Sequence, residues 1–454
     1  MDVNPYIFRE YDIRGVVEED FPPEVTELLG KGFGTFVKEK AIDKISLGGD
    51  VRLTTKALKE AFAKGVLSTG VNIVDIGIIP TPVSYFSIHH LKLQGAVQIT
   101  GSHNPPEFNG FKMTLSTGAV YGKQIFSIRD IIDSGEFAEG EGVMENRDIT
   151  DEYCRDIVNK IKLDKPLKII TDCGNGAGGL VAPKVLREIG CEVDELFTEP
   201  DGTFPNHHPD PTVEKYIKVL IEKVKNGNYD FGVAFDGDMD RIGVVDNKGN
   251  IVWADYLMAL LAEEVLAKGR KTIIFDVKCS QGLSERIIEL GGDPLMYKTG
   301  HSLIKAKLRE LNEDFAGEMS GHIFFADEHY GYDDALYVTA RLARFMSRTE
   351  DSMSDKMATL PKYYSTPEMR LNISDDKTKF EIVEKAIEYF TNNYDCDTID
   401  GVRIQYGDGW GLVRASNTQP VIVVRFEAKT EERLAEIKDE VIGKLMEYGE
   451  IQLD

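Results

Sequence analysis

The sequence predicts an α/β protein made of three related α/β units followed by one α+β unit. Three observations predict it: a strand–turn–helix–strand pattern recurs three times, each copy is followed by a third strand ending in an unusually polar loop, and the order of elements changes after about residue 366.

Each copy opens with a short β-rich run ending near an aspartate: ISLGGD at Asp50, LKIITD at Asp172 and TIIFDV at Asp276. An amphipathic helix pattern comes next, in TTKALKEAFAKGVLS, GLVAPKVLREIG and GLSERIIELGG. A glycine-marked turn leads into a second strand, in VNIVDIG, CEVDELF and DPLMYKTG. The third strands are GAVQIT before GSHNPP, FGVAF before DGDMDR, and DFA before GEMSGH. Strands alternating with helices imply largely parallel sheets, in which ligands gather beyond the strand ends. The final unit reads as a strand (MRLNIS), a helix (KFEIVEKAIEYFTNN), three strands (TIDGVRIQY, GLVRAS, PVIVVRFEA) and a closing helix (TEERLAEIKDEVIGKLMEYG). The expected domains are 1–149, 150–253, 254–365 and 366–454.

Composition bounds the function. The chain has 454 residues, 42% hydrophobic and 29% charged, the balance of a soluble globular protein. Its formal net charge of −24 repels nucleic-acid phosphates and anionic membranes, so neither is an expected partner. The N-terminal MDVNPYIFREYDIRG lacks a basic start followed by an apolar run, so no signal peptide is expected, and no stretch is apolar enough to span a bilayer. Five scattered cysteines, none in metal-pair spacing, fit reduced thiols in a cytoplasmic enzyme. An acidic chain that binds an anionic substrate must gather positive charge locally.

Four loops carry chemistry. In TGSHNPPEFNGFK, residues 100–112, Ser102 sits just past an apolar strand, with Pro105 and Pro106 ending it. A serine needs activation to act as a nucleophile. His103 is its chain neighbour, and adjacent side chains are expected to diverge, while Lys112 can reach back. The same loop also reads as an ordinary surface turn. In DGDMDR, Asp236, Asp238 and Asp240 alternate and can converge on a hard cation such as Mg²⁺. An EF-hand would need Gly where Arg241 stands and an acid where Asn247 stands. In GEMSGH an extended backbone would put Glu318, Ser320 and His322 on one face, suited to sugar hydroxyls and proton transfer. In RASNTQP, Arg414, Ser416, Asn417 and Thr418 form a donor-rich cradle for phosphate, to which Arg425 on the next strand adds charge.

Together these loops, with FREYDIRG, DCGNGAGG, FPNHHPDP, DVKCS and KTGHSLIK in the same order, resemble the α-D-phosphohexomutase family, in its phosphomannomutase/phosphoglucomutase branch. The resemblance implies three α/β/α domains with mixed sheets around a cleft and a fourth α+β domain resembling the TATA-binding-protein fold. It implies a phosphoserine at Ser102 and Mg²⁺ held by Asp236, Asp238, Asp240 and an oxygen of phosphorylated Ser102. Arg14, Lys112 and Arg241 would flank the transferring phosphoryl group, and Tyr11, Lys278, His301 and His322 would line the cleft; the general base stays open among Lys112, His322 and a water. Glu318 and Ser320 would read the sugar, and Arg414, Ser416, Asn417 and Thr418 would hold the non-reacting phosphate. The implied activity is interconversion of hexose 1- and 6-phosphates, mannose and/or glucose, with a hexose 1,6-bisphosphate as intermediate and activator, in a monomer or small homo-oligomer. The related phosphoglucosamine mutases share the architecture, but their sugar loop more often reads GEQSGH. A non-catalytic phosphosugar-binding protein is the alternative outside the enzymes. The chain departs from the family at Met239, where Gly or Ala is usual, and its side chain is expected to point away from the cation.

Overall fold

In the first three units a largely buried strand lies inside each sheet, paired on both sides: Lys44–Gly49, Leu167–Asp172 and Thr272–Asp276. The structure, a computed structural model, describes residues 3–416, 421–449 and 451–453. Each central strand pairs in parallel with the strand after its helix (Asn72–Ile78, Cys191–Leu196, Asp293–Tyr297) and, on its other side, with the third strand (Gly95–Ile99, Phe231–Phe235, Phe315–Gly317). The third strand then turns back into an antiparallel partner: Phe108–Leu115, Ile242–Asp246 or Ile323–Phe325. The repeat read from the sequence is therefore one sheet topology built three times, and the returning strand makes each sheet mixed.

This topology places the chemistry. In all three units the polar loop is the connection between the third strand and its antiparallel partner: residues 100–107, 236–241 and 318–322. The fourth polar loop is also a hairpin connection, between Gly409–Ala415 and Val421–Ala428. The last sheet has the order 395–397, 402–405, 409–415, 421–428, 369–372, 452–453, with Tyr364–Ser365 also pairing on 421–428. Its helices are Asp376–Asn393 and Glu431–Met446.

The apolar core is divided unevenly. One continuous cluster runs from Val74 to Leu360, because the helices Ala254–Leu266 and Ala335–Ser347 are buried over most of their surface and bridge neighbouring units. The first unit adds its own cluster from Ile7 to Ile132. The last unit has a separate core, Leu371 to Leu445. It docks through Arg403, whose guanidinium lies 3.8 Å from the Trp410 ring centroid and donates to the carbonyls of Val277 (2.8 Å) and Cys279 (3.0 Å). Arg425 belongs to the same contact. It is buried and donates to the Lys278 carbonyl, with Asp255 3.3 Å away, so it is spent on docking and adds no charge to a phosphate cradle.

Candidate active site

Ser102 adopts a left-handed backbone, φ +47°, that few non-glycine residues accept. The kink turns the loop inward. Ser102 is 1% exposed while Pro105, Pro106 and Glu107 are exposed, so the loop is a surface turn whose serine faces inward. Its hydroxyl donates to Asp236 Oδ2 at 2.8 Å. The kink also brings together neighbours expected to diverge, with His103 Nδ1 3.2 Å from Ser102 Oγ. Since the hydroxyl proton already points at Asp236, the imidazole is the donor in that pair and not a base. Burial, with Arg241 and Arg14 nearby, holds the His103 pKa well below its ordinary value, so the ring is neutral.

One residue that sequence reasoning missed builds this loop. Arg52, buried, donates through Nη1 to the carbonyls of Pro105 (2.6 Å) and Phe108 (3.0 Å), and through Nη2 to those of Ser102 (2.9 Å) and Asn104 (2.5 Å). Its Nε lies 3.2 Å from Asp50 Oδ2, and its guanidinium faces the Phe204 ring of the second unit at 5.1 Å. A planar fork serving four carbonyls at once is a task for arginine and no other side chain. Nothing in VRLTT marks it as different from a surface arginine.

Asp236, Asp238 and Asp240 are buried, with carboxylate oxygens within 4.8 Å of one another. Thr81 Oγ1 donates to Asp238 Oδ2 at 2.6 Å, Lys112 Nζ donates to the same oxygen at 2.8 Å, and Lys112 also donates to Asp240. Burial alone would push the Lys112 pKa down, but Asp238, Asp240 and Asp236 reverse this and hold it above the ordinary lysine range. Burial and the two neighbouring carboxylates raise Asp236 well above its ordinary value. Asp238 is burdened by burial, yet Lys112 and its hydrogen bonds bring it below. Asp238 Oδ1 and Asp240 Oδ1 are buried acceptors with no hydrogen-bond partner, and the three carboxylates stand around one ammonium that pairs with only two of them. That oxygen-only, charge-deficient set fits a small divalent cation. Met239 has φ +61° and a fully buried side chain in the continuous core, so it points away from the carboxylates as expected.

The third loop is not extended. Residues 318–321 form a turn closed by Gly321 N–H on the Glu318 carbonyl (3.0 Å), Gly321 sits at φ +94°, and Glu318 N–H donates to the His322 carbonyl at 2.8 Å. The alternation that put Glu318, Ser320 and His322 on one face therefore does not apply. Three short strand residues could not reveal a hairpin turn whose glycine sits next to the histidine. Glu318 is buried, accepts from Gly300 N–H at 2.6 Å, and is raised by burial, while Ser320 is half-buried in the turn. Arg241 Nε donates to His322 Nε2 at 2.9 Å, which leaves the ring proton on Nδ1. Asp333, also missed, lies 2.9 Å from that Nδ1 and 3.4 Å from His301 Nδ1, and Lys305 donates to it at 2.8 Å. His301 and His322 stack at 4.9 Å, and burial with Lys305 lowers His301 to about 4. The adjacent Asp334 reads as a helix cap; no such signal picks out Asp333.

The remaining cations are paired with the protein's own acids. Arg14 donates to Asp12 at 2.5 Å and to Asn104 at 3.0 Å. Lys278 donates to Glu368 Oε2 at 3.0 Å, and Arg414 Nε to Asp400 Oδ2 at 3.0 Å. Tyr11 donates to the Thr299 carbonyl at 2.8 Å, and Thr299 N–H to Asp400 at 3.0 Å, which ties the first, third and fourth units together. Ser416 lies at the end of the described strand segment; Asn417 and Thr418 lie outside the described residues.

The chain matches the four families of the phosphoglucomutase/phosphomannomutase set: alpha/beta/alpha domain I over residues 5–139, domain II over 151–249, domain III over 253–364 and the C-terminal domain over 368–444. It is 44% identical over 436 residues to a phosphomannomutase/phosphoglucomutase of Pseudomonas putida, covering 95% of this chain and 94% of that one. It is 41% identical over 440 residues to a phosphoglucomutase of Neisseria meningitidis, covering 96% and 95%. The X-ray structure of a phosphoglucomutase/phosphomannomutase family protein from Burkholderia thailandensis matches with a TM-score of 0.93 at 42% identity over 100% of both chains. A putative phosphomannomutase from Thermus thermophilus, at 23% identity and TM-score 0.82, shares the fold over 98% and 100%. Family, architecture and the meeting of loops agree: the chain belongs to the phosphoglucomutase/phosphomannomutase family.

Proposed function

We propose that the protein interconverts hexose 1-phosphate and hexose 6-phosphate, with glucose and mannose as the sugars, through a phosphoryl group carried on Ser102. The observation that carries the reading is the meeting of the Ser102 hydroxyl, the three aspartates and Lys112 in one buried cluster drawn from two units.

The resident form is phosphorylated Ser102. The free hydroxyl of the bound hexose phosphate attacks its phosphorus, the P–Oγ bond breaks, and a 1,6-bisphosphate and free Ser102 result. The proton lost by the sugar hydroxyl passes to a group in the cleft, and Oγ takes one back. The bisphosphate turns end for end, Oγ gives up its proton and attacks the other phosphorus, the bond from that phosphorus to the sugar oxygen breaks, and the sugar oxygen takes a proton as the hexose phosphate product forms. Lys112 and Arg241 supply charge to the phosphoryl oxygens as it spreads in the in-line transfer, and Arg14 stands on the side of Asn104. Asp236, Asp238 and Asp240, with an oxygen of phosphorylated Ser102, are the proposed holders of Mg²⁺, which supplies Lewis-acid stabilisation of that charge. His322, with its Nδ1 proton facing Asp333, and the buried Glu318 face the sugar. Arg414, Ser416, Asn417 and Thr418 hold the phosphate that is not reacting, with Tyr11, Lys278, His301 and Ser320 completing the walls. The proposed domain limits are 1–149, 150–253, 254–365 and 366–454.

Incubation with glucose 1,6-bisphosphate followed by intact-mass measurement tests this. After incubation the protein should carry one phosphoryl group and Ser102→Ala none, and the turnover of Ser102→Ala should fall by orders of magnitude. A Ser102→Ala protein that labels and turns over like the parent refutes the assignment.

A further inference from the structure

Lys278 and Arg414 belong to different units, and the carboxylate of Glu368 pairs with Lys278 while feeling the charge of Arg414 from further off. Glu368 accepts from Lys278 at 3.0 Å, its other oxygen lies 3.6 Å from Arg370, and its acidity is strengthened first by Lys278 and further by Arg370 and Arg414. Lys278 is buried, with Asp276 3.6 Å away, and burial would lower its pKa if Glu368 and Asp276 did not more than offset it. An ammonium in such a place is stable only while an anion faces it.

We propose that Glu368 is a specificity-determining residue: a resident carboxylate on Lys278 that an incoming phosphate dianion displaces, so that this subsite admits doubly charged phosphomonoesters and refuses singly charged anions. The inference rests on the reading of the Lys278–Arg414 region as the seat of the non-reacting phosphate. A singly charged ligand would replace one unit charge on Lys278 with another while stripping Glu368 of its partner, so it gains nothing. A dianion brings a second charge, which Arg414 can use, and this offsets the exchange.

The two carboxylates facing these cations are not equivalent. Asp400 is anchored, accepting from both Arg414 and the Thr299 backbone N–H. Glu368 makes its contacts to the side-chain ends of Lys278 and Arg370, with no backbone anchor among the described residues, and its side chain is 30% exposed. It therefore has an open path to water. It also follows Pro367 at the entrance to the strand Met369–Asn372, so its release falls at the junction of the third and fourth units.

The test is a calorimetric titration of the full-length protein with inorganic phosphate at a pH where it is a dianion, and with dimethyl phosphate, which stays a monoanion. The parent should bind phosphate and not dimethyl phosphate. Glu368→Gln should bind phosphate about tenfold more tightly, the size of one charge-assisted contact, and should begin to bind dimethyl phosphate. In a Lys278→Met background the Glu368→Gln effect should vanish, since the pair then has no energy to share. Circular dichroism checks folding, and Glu368→Ala serves if Glu368→Gln is not folded. Phosphate binding that is unchanged or weaker in the folded variant, or equal binding of both anions by the parent, overturns the inference. The titration needs no turnover, so failure of bisphosphate to label Ser102 would count against the mutase reading alone.

Discussion

Asp238 is the residue on which the buried charges balance, since it holds Lys112 and Thr81 on one oxygen and leaves the other without a partner. Asp238→Asn keeps the shape and removes one of three negative charges. We expect divalent-cation binding to weaken by at least about tenfold and turnover to fall further, read as a rightward shift in the dependence of rate on Mg²⁺ concentration. An unchanged Mg²⁺ dependence would detach this loop from the metal. Arg52→Lys probes the loop from behind. An ammonium cannot reach four carbonyls, so the backbone of Ser102, Asn104, Pro105 and Phe108 loses fixed donors. We expect kcat to fall roughly ten- to a hundredfold with KM nearly constant, since in the proposed function the loop carries the phosphoryl donor and not the sugar contacts. A change confined to KM would contradict that division.

At the scale of elements, function depends on hairpin connections approaching each other closely. A Cβ built on Gly237 would lie 2.5 Å from the Ser102 carbonyl oxygen, so only glycine lets the aspartate loop close on the serine loop. Gly237→Ala should force the loops apart at a cost of about 1–3 kcal/mol and lower the rate of Ser102 phosphorylation far more than it lowers overall stability. Stopped-flow labelling beside a thermal melt measures both; equal, small effects would mean that the approach does not matter. Much of this arrangement was legible in the sequence. The short β-rich runs with their terminal aspartates and the amphipathic helices after them pointed to the three sheets, and DGDMDR between two apolar strands could hardly be a solvated turn. What stayed hidden depended on distance in the chain or on backbone sign. Arg52 reaches residues 102–108, and Asp333 reaches 301 and 322, contacts no local pattern encodes. The left-handed Ser102 and the Glu318–Gly321 turn reverse the side-chain directions that an extended backbone would give.

For the whole molecule, the partition of apolar cores separates one unit from the rest. The unit after residue 366 shares no large cluster with its neighbours: it meets them through a small apolar contact of Trp410 and Leu412 with Val277, through Arg403 and Arg425 on the carbonyls of 277–279, and through the Lys278–Glu368 and Thr299–Asp400 pairs. A small unit with its own core buries a lower fraction of its surface and holds less free energy. Heat should therefore dissolve the protein in two steps, the smaller first, and scanning calorimetry should record a minor endotherm ahead of the main one. A hexose 1,6-bisphosphate that engages Arg414 and the other walls of the cleft should draw the minor peak toward the major one. A single endotherm obeying two-state enthalpies without ligand would show that the polar seam binds as firmly as the shared core. If the two peaks are found, the cleft's fourth wall is also its thermal fuse: warmth would open the site and expose phosphorylated Ser102 to water well before the catalytic loops themselves come apart.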